Sequence, residues 1–328
     1  MKKYIIIAFV MLLLVMSFCT IATAQEKIVL TLGHDGAIGS FQDLAVKKIV
    51  EVAKELSNGK LEIQDFPAQQ LGSNLSMLES TISGSQDIFW GDLAWLSNFV
   101  KDYAILSMGF AFRDQEHMNK FMDSSIGQEL KGQLLDKGLL LVREHANQLP
   151  RVMVSKFLIT KPEDVKGIKM RVPGIPIFQK VWQAMETKPT SVDWGEVYLA
   201  LSQGVVDAME CGFEFVYANK FYEVAKYVTL TNHVRGIRGM LVNPKKYDSL
   251  PVGLKAVIEK AAIEGEKLYN EKILESQNEH TKFLLGEGVT ITEVDSELWK
   301  TKILNIVPGL EAEGFWSKGL FEKTQGIQ

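Results

Sequence analysis

One arginine stands at the point where a strand-like run is cut off. In "VKGIKMRVPG" (165–174), the apolar run from Ile168 to Val172 carries Arg171 and stops at Pro173-Gly174. Proline has no N–H to donate to a sheet, so the strand cannot continue through that position. Because ligands of open α/β sheets bind outside the carboxyl ends of the strands, Arg171 is either an anion receptor or half of a structural ion pair. As a receptor, its planar guanidinium would form two parallel hydrogen bonds to a carboxylate.

A second arginine is a candidate for the same chemistry. Arg151 begins another apolar run, in "ANQLPRVMVS" (146–155). Here too the residues alone leave a structural ion pair open as the alternative to anion binding.

The sequence carries no recognisable catalytic or metal-binding motif. It has no His-Glu-x-x-His, no cysteine pair at ligand spacing, no phosphate loop and no Gly-x-Ser-x-Gly elbow. The histidines are not paired at ligand spacing either: His34, His117, His145, His233 and His280. We therefore expect no metal and no cofactor, and a binding protein is favoured over an enzyme. Cys211 is interpreted as a small buried apolar residue rather than a nucleophile.

The first residues have the pattern of an export signal. Two lysines follow Met1, an apolar run covers Ile5 to Phe18, and Ala22-Thr23-Ala24 has the form of a cleavage site. We predict a cleaved signal peptide over residues 1–24, with a signal anchor as the alternative. A mature chain in the periplasm follows from this prediction.

The composition of the mature chain narrows the class of protein. Removing 24 of 328 residues leaves 304, and losing two lysines moves the net charge from −4 to −6. An acidic balance argues against nucleic acid and against anionic membranes as partners. The length suits two domains, and with Cys211 as the single remaining cysteine no internal disulfide can hold them.

Strand-like and helix-like segments alternate along the chain. Ile28 to Gly33 and Leu61 to Phe66 alternate as strands, and Phe41 to Leu56 between them has apolar residues at helical spacing. This βαβ unit predicts a parallel strand pair. Three further strands are predicted in "DIFWGD" (87–92), "GLLLVREH" (138–145) and "GIKMRVP" (167–173), and a helix around 76–83. The alternation predicts an α/β fold with parallel sheets.

A long helical pattern begins near Pro251. From there to about Leu285 there is no proline, and apolar residues recur at helical spacing. The pattern predicts either one helix running across two lobes or a helix broken at Gly265.

Several segments together resemble a known family. These are "PAQQLGS" (67–73), "MLESTISGSQDI" (77–88), "LSMGFAFRD" (106–114), "KPEDVKGIKMRVPG" (161–174), "WGEVYLALSQGVVDAME" (194–210) and "YANKFYEVAKYVTLTNH" (217–233). In this order they resemble the solute-binding proteins of TRAP transporters, of the DctP type. The resemblance covers essentially the whole mature chain. It implies a two-lobed periplasmic binding protein fold, with strands that cross at a hinge and a continuous long helix along both lobes.

The resemblance also implies roles and boundaries. Arg171 takes the position of the arginine that binds the ligand carboxylate, Arg151 that of an assisting arginine, and Trp194 that of an aromatic packed on the ligand. Lobe I is expected over 25–148 plus about 237–276, and lobe II over 149–236 plus about 277–328. The expected partners are a small carboxylate-containing ligand and the permease subunits of a transporter driven by an ion gradient, with the chain a monomer or a homodimer.

One departure from the family pattern leaves the ligand open. Cys211-Gly212 stands where relatives usually have asparagine and proline, and cysteine is a poor substitute for that hydrogen bond. Cys211 is still expected to contact the ligand, and the remaining expected ligand-binding residues are Phe213, Glu210, Trp90, Asn147 and Arg235. Either the nearby aromatics are core residues and the arginines Arg235 and Arg238 are solvated, or the site takes a less polar acid with one or two carboxylates. A binding protein that feeds a sensor and a secreted enzyme remain the alternative functions.

Overall fold

The computed structural model describes residues 27–328, and the predicted signal segment, residues 1–24, lies outside them. The strands are β1 (Ile28–His34), β2 (Leu61–Phe66), β3 (Ile88–Asp92), β4 (Leu140–Asn147), β5 (Arg151–Ser155), β6 (Lys169–Val172), β7 (Lys188–Ser191), β8 (Ala208–Gly212), β9 (Tyr227–Leu230), β10 (Ile237–Val242) and β11 (Thr290–Glu293). The helices are α1 (Phe41–Leu56), α2 (Asn74–Ser83), α3 (Gln115–Asp123), α4 (Ser125–Asp136), α5 (Pro176–Ala184), α6 (Val197–Ser202), α7 (Phe213–Ala218), α8 (Pro244–Ser249), α9 (Val252–Gly286), α10 (Ser296–Leu304), α11 (Val307–Ala312) and α12 (Leu320–Gln325). Short 3-10 helices cover Leu93–Asn98, Lys101–Ser107, Pro162–Val165, Trp194–Glu196 and Phe221–Glu223.

The βαβ unit predicted from the sequence is confirmed. Strands β1 and β2 pair in parallel, with Ile28 opposite Leu61. Helix α1 between them begins because the Ser40 hydroxyl accepts a hydrogen bond from the N–H of Asp43. It ends before Asn58 and Gly59, which both have positive φ angles. The bounds of all three elements follow from local sequence signals.

The described strands form two sheets, and both are mixed rather than parallel. One has five strands in the order β2-β1-β3-β10-β4, and the other has six in the order β11-β9-β5-β8-β6-β7. Strand β10 runs antiparallel to β3 and β4, and β5 runs antiparallel to β8 and β9. The expectation of parallel sheets was therefore wrong. β5 and β10 each follow a strand of the other sheet, so no crossover helix within one sheet fixes their direction.

The chain passes between the two sheets at three places. It crosses between β4 and β5, between β9 and β10, and again from the long helix α9 into β11. Each sheet with its helices is one lobe, which confirms the two-lobed α/β architecture. The boundaries of the lobes in the sequence stay a prediction.

The last helices lie against both lobes. The N–H of Ser317 donates to Asp102 at 2.6 Å, on the side of the first sheet. Lys302 lies 3.8 Å from Glu186, on the side of the second sheet. The C-terminal segment therefore connects the lobes a fourth time through side-chain contacts.

Helix α9 is continuous over 35 residues, about 52 Å at 1.5 Å per residue. Its Glu266 accepts from Arg143 of β4, and its Tyr269 donates to Glu214 of α7 at 3.4 Å. The helix thus contacts both lobes, as the family resemblance implied, and the alternative of a break at Gly265 was wrong. Among residues 27–328, no helix is both long and apolar enough to cross a membrane.

Gly265 is explained by close packing rather than by a break. A β-carbon there would lie 2.4 Å from Cγ1 of Ile49 and 2.8 Å from the carbonyl oxygen of Ala45, both on α1. We expect Gly265→Ala to destabilise the protein by about 1–3 kcal/mol, although alanine is the better helix former by roughly 1 kcal/mol. Gly253→Ala is the control, because apart from its chain neighbours and the nearby backbone of its own helix no atom lies within 4 Å of its β-carbon position. Urea unfolding measures both, and equal effects of the two substitutions would contradict the packing explanation.

Candidate functional site

A cavity lies between the two sheets, at the ends of several strands. It surrounds about 440 Å³ of space not occupied by protein atoms, part of it open to solvent. Its lining residues are Asp35, Asn74, Asp92, Trp95, Arg151, Arg171, Pro173, Ile175, Phe178, Trp194, Cys211, Phe215 and Arg238. Three arginines and several aromatic rings therefore surround one small space.

Arg171 lies in this cavity at the end of β6 and is 1% exposed. Its Nε donates to the carbonyl oxygen of Val192 at 3.0 Å, and its guanidinium lies 5.6 Å from the ring centre of Trp194. Within the described part of the chain, no carboxylate forms an ion pair with it. Burial lowers the pKa of Arg171 to about 10, with nearby Arg151 acting in the same direction. At neutral pH the cavity therefore holds a charged guanidinium without a direct counter-ion, which an anion would supply.

Arg151 has its counter-ions within the protein. Its Nε and Nη2 donate to the two carboxylate oxygens of Glu210, and its Nη1 lies 3.4 Å from Asp92. Glu210 is fully buried. Burial alone would raise the pKa of Glu210, but Arg151 and His233 lower it to about 2. Arg151 and Glu210 therefore form a structural ion pair, and Arg151 has fewer N–H groups left to bind a ligand than Arg171.

Arg238, for which the sequence left open a solvated position, lines the cavity and is 1% exposed, so the solvated alternative was wrong for this residue. It lies in β10, pairs with Asp35, and stacks 5.9 Å from the ring centre of Phe215. Burial opposes its charge, but the attraction of Asp35 raises the pKa of Arg238. Arg235, which the sequence did select, is half-buried outside the lining, and burial lowers its pKa.

The structure brings four of the predicted site residues to the cavity: Arg171, Arg151, Trp194 and Cys211. It places Trp90 and Phe213 in the core instead, because both pack among buried apolar side chains. Asn147 is engaged elsewhere, since its Oδ1 accepts from Gln115 at 2.9 Å. Cys211 is 1% exposed, as expected for a small buried residue, and burial raises the pKa of its thiol.

Several lining residues that were not selected from the sequence follow a strand end. Asp35 comes after β1, Asp92 ends β3, and Ile175 follows β6. The rule that ligands bind outside the carboxyl ends of strands would have selected them. Arg238 had a different signal, because it lies near the start of an apolar run that enters a sheet from the other lobe, as Arg151 does.

The two lobes touch each other across the cavity. The N–H of Gly195, beside Trp194, donates to the side chain of Gln69 in the other lobe at 2.9 Å. Gln148, in the crossing segment, donates to Asp92 at 3.2 Å. The two lobes are thus in direct contact beside Trp194.

Glu214 is a buried acid next to the site, and it makes the stability of the protein depend on pH. Burial raises the pKa of Glu214 to about 7, while Arg238 and Arg151 act against that rise. The folded protein therefore keeps a proton that the unfolded chain loses near pH 4.5. The contribution of Glu214 to the unfolding free energy is fully present below that pH and is lost as the pH rises through about 7.

Between pH 5.5 and 8, we expect the wild type to lose roughly 2 kcal/mol more of its unfolding free energy than Glu214→Gln does. Urea unfolding at the two pH values measures this, and parallel pH profiles would refute it.

Comparison with known proteins identifies the family. The model of the bacterial extracellular solute-binding proteins of family 7, DctP, matches residues 32–312. The chain belongs to the DctP family. A solute-binding protein of Roseobacter denitrificans is 29% identical over 275 residues, covering 84% of each chain. The 2,3-diketo-L-gulonate-binding periplasmic protein of Escherichia coli is 26% identical over 295 residues, covering 89% of this chain and 88% of that protein.

Solved structures agree with this membership. A TRAP periplasmic solute-binding protein from Polaromonas sp. JS666, bound to D-erythronate, superposes with a TM-score of 0.86 at 25% identity. The superposition covers 92% of this chain and 99% of that one. The DctP protein described here therefore has the two-lobed fold of TRAP solute-binding proteins, a family of binding proteins with ligand-bound structures rather than of enzymes.

Proposed function

We propose that this DctP protein is the periplasmic solute-binding subunit of a TRAP transporter, and that Arg171 binds the carboxylate of a small organic acid. The observation that carries the proposal is the buried guanidinium of Arg171, which has no protein carboxylate as partner among residues 27–328. The relatives support an acid as ligand, because two of those named above are described with D-erythronate and with 2,3-diketo-L-gulonate.

The proposed mechanism is closure around the anion. In the open form Arg171 faces a wet cleft, and the acid forms two hydrogen bonds with its guanidinium. Closure of the lobes, through contacts such as Gly195 with Gln69, then expels water and strengthens the ion pair as the local dielectric falls. Two charge-assisted hydrogen bonds at about 1.5–3 kcal/mol each supply much of a micromolar affinity, near −8 kcal/mol.

Delivery completes the proposed function. The closed protein docks on a separate membrane permease, and an ion gradient drives the transport, as the family resemblance implies. Export through the predicted signal peptide, the lobe boundaries, and a monomeric or homodimeric state belong to the same proposal. A role in feeding a sensor instead would leave the ligand site unchanged.

The proposal is tested by calorimetric titration of the mature protein with a broad panel of organic acids. We expect at least one acid to bind with micromolar or better affinity and to be recovered unchanged. Turnover of a bound acid would replace the proposal with an enzyme using the same cleft. Absence of binding for every acid in the panel, with a folded protein, would contradict it.

A further inference from the structure

A tight turn after β2, in the first lobe, holds two residues in a backbone conformation that their types disfavour. Ala68 and Gln69 have φ angles of 52° and 60°, and the N–H of Gln70 closes the turn by donating to the carbonyl oxygen of Pro67 at 3.1 Å. Turns with two positive φ angles are dominated by glycine, asparagine and aspartate. Because residues held in such a conformation cluster at functional sites, the side chain of Gln69 is a candidate for a function.

Backbone hydrogen bonds fix this turn beside the cavity. The N–H of Ala68 donates to the carbonyl oxygen of Gly36 at 2.9 Å, and the N–H of Gln69 donates to that of His34 at 3.0 Å. These two carbonyl groups flank Asp35, which lines the cavity. The turn therefore holds Gln69 next to the part of the first lobe that forms the cavity wall.

The side chain of Gln69 reaches the second lobe. Its Oε1 accepts a hydrogen bond from the N–H of Gly195 at 2.9 Å. Gly195 belongs to the 3-10 helix Trp194–Glu196, and the first N–H groups of a helix have no partner within it. The ring of Trp194 lies 5.6 Å from the guanidinium of Arg171. The contact thus joins the two lobes one residue away from the ring that packs on Arg171.

We propose that Gln69 is a positioning residue that slows the release of the bound acid, because the lobes cannot separate beside Trp194 without breaking its hydrogen bond to Gly195. This rests on the proposed function and adds a residue that controls the lifetime of the complex. Gln69 lies outside the cavity lining, so it acts through Gly195 and Trp194 rather than by touching the acid.

The test measures rate constants on the folded Gln69→Gly protein, in which glycine suits the positive φ angle and the cross-lobe contact is lost. We expect the dissociation rate constant to rise about threefold to tenfold, which corresponds to the loss of one hydrogen bond. The association rate constant should stay within about twofold. Stopped-flow tryptophan fluorescence measures both, since Trp95 and Trp194 line the cavity. The probe is the tightest-binding acid of the calorimetric panel, which includes D-erythronate and succinate.

Two further variants separate the contact from the turn. Ala68→Gly makes the same substitution at the neighbouring positive φ angle but keeps the hydrogen bond, so it should leave both rate constants within about twofold. Gly195→Ala disturbs the contact from the other lobe, because its β-carbon would lie 2.9 Å from Oε1 of Gln69. It should speed release from the wild type but add less than about twofold to Gln69→Gly, in which the contact is already absent. Gly195→Ala also provides the test where Gln69→Gly does not fold.

Three results would overturn the inference and leave the proposed function standing, provided that binding still requires Arg171. They are wild-type release from Gln69→Gly, equal acceleration by Ala68→Gly, and independent effects of Gln69→Gly and Gly195→Ala. A wild type that binds no acid of the panel would contradict the proposed function, and this inference with it.

Discussion

Replacing Arg171 with alanine is expected to weaken binding of the best acid ligand at least about a hundredfold, or about 2.7 kcal/mol. The loss is large because the ligand carboxylate would then be buried without a partner. Arg171→Lys is expected to be nearly as damaging, since an ammonium cannot form the two parallel hydrogen bonds of a guanidinium. Isothermal titration calorimetry on the folded variants measures both effects.

Arg235→Ala is the matched control for this experiment. Arg235 is an arginine outside the cavity lining, so its removal changes the net charge equally and should leave affinity within about twofold. The empty Arg171→Ala protein is expected to be no less stable than the wild type, because it loses a buried charge that has no direct counter-ion. Wild-type affinity in a folded Arg171→Ala protein would remove Arg171 from the site.

Glu210→Gln is expected to destabilise the protein by about 3–5 kcal/mol, the largest effect on folding that we predict. The substitution keeps the size of the side chain but leaves the buried guanidinium of Arg151 with Asp92, at the longer distance of 3.4 Å, as its remaining carboxylate partner. The lowered pKa of Glu210, about 2, has the same cause, since Arg151 and His233 outweigh the cost of burial. Urea unfolding at pH 7 measures the loss.

The control replaces the same residue type in an exposed pair. Glu313 lies 2.6 Å from Lys180, and both side chains are about half exposed. Glu313→Gln should cost no more than about 1 kcal/mol, because solvent screens such pairs. If Glu210→Gln costs as little as Glu313→Gln, the buried pair does not have the structural role assigned to it here.

For the three arginines of the cavity, the sequence predicted position better than it predicted ion pairing. Arg171 was selected because a proline ends its strand, and that local signal placed it at the correct edge of the sheet. The sequence could not decide between anion receptor and structural ion pair for Arg171 or Arg151. That decision depends on where the carboxylates lie, and Glu210 is 59 residues from Arg151 in the chain. The solvated alternative for Arg238 could not be excluded from the sequence, because Asp35, its partner, is 203 residues away.

The helices and strands show the same limit. The bounds of α1 and β2 could be read from the sequence, since the capping serine, the helical spacing and the Asn58-Gly59 turn act within a few residues. The strand directions could not. β5 and β10 run antiparallel to their neighbours because the chain enters each sheet from the other lobe. The residue types within the two strands do not indicate this direction.

The sequence by itself determined the α/β class, the family resemblance and the arginine at the end of β6, because these depend on residue types, on spacing and on motifs contiguous in the chain. Only the tertiary structure decided which arginine lacks a protein counter-ion, and it alone brought Asp35, Asn74 and Arg238 together in the cavity lining. The physical reason is that charge compensation acts across a few ångströms of space, whereas these partners are separated by long stretches of chain.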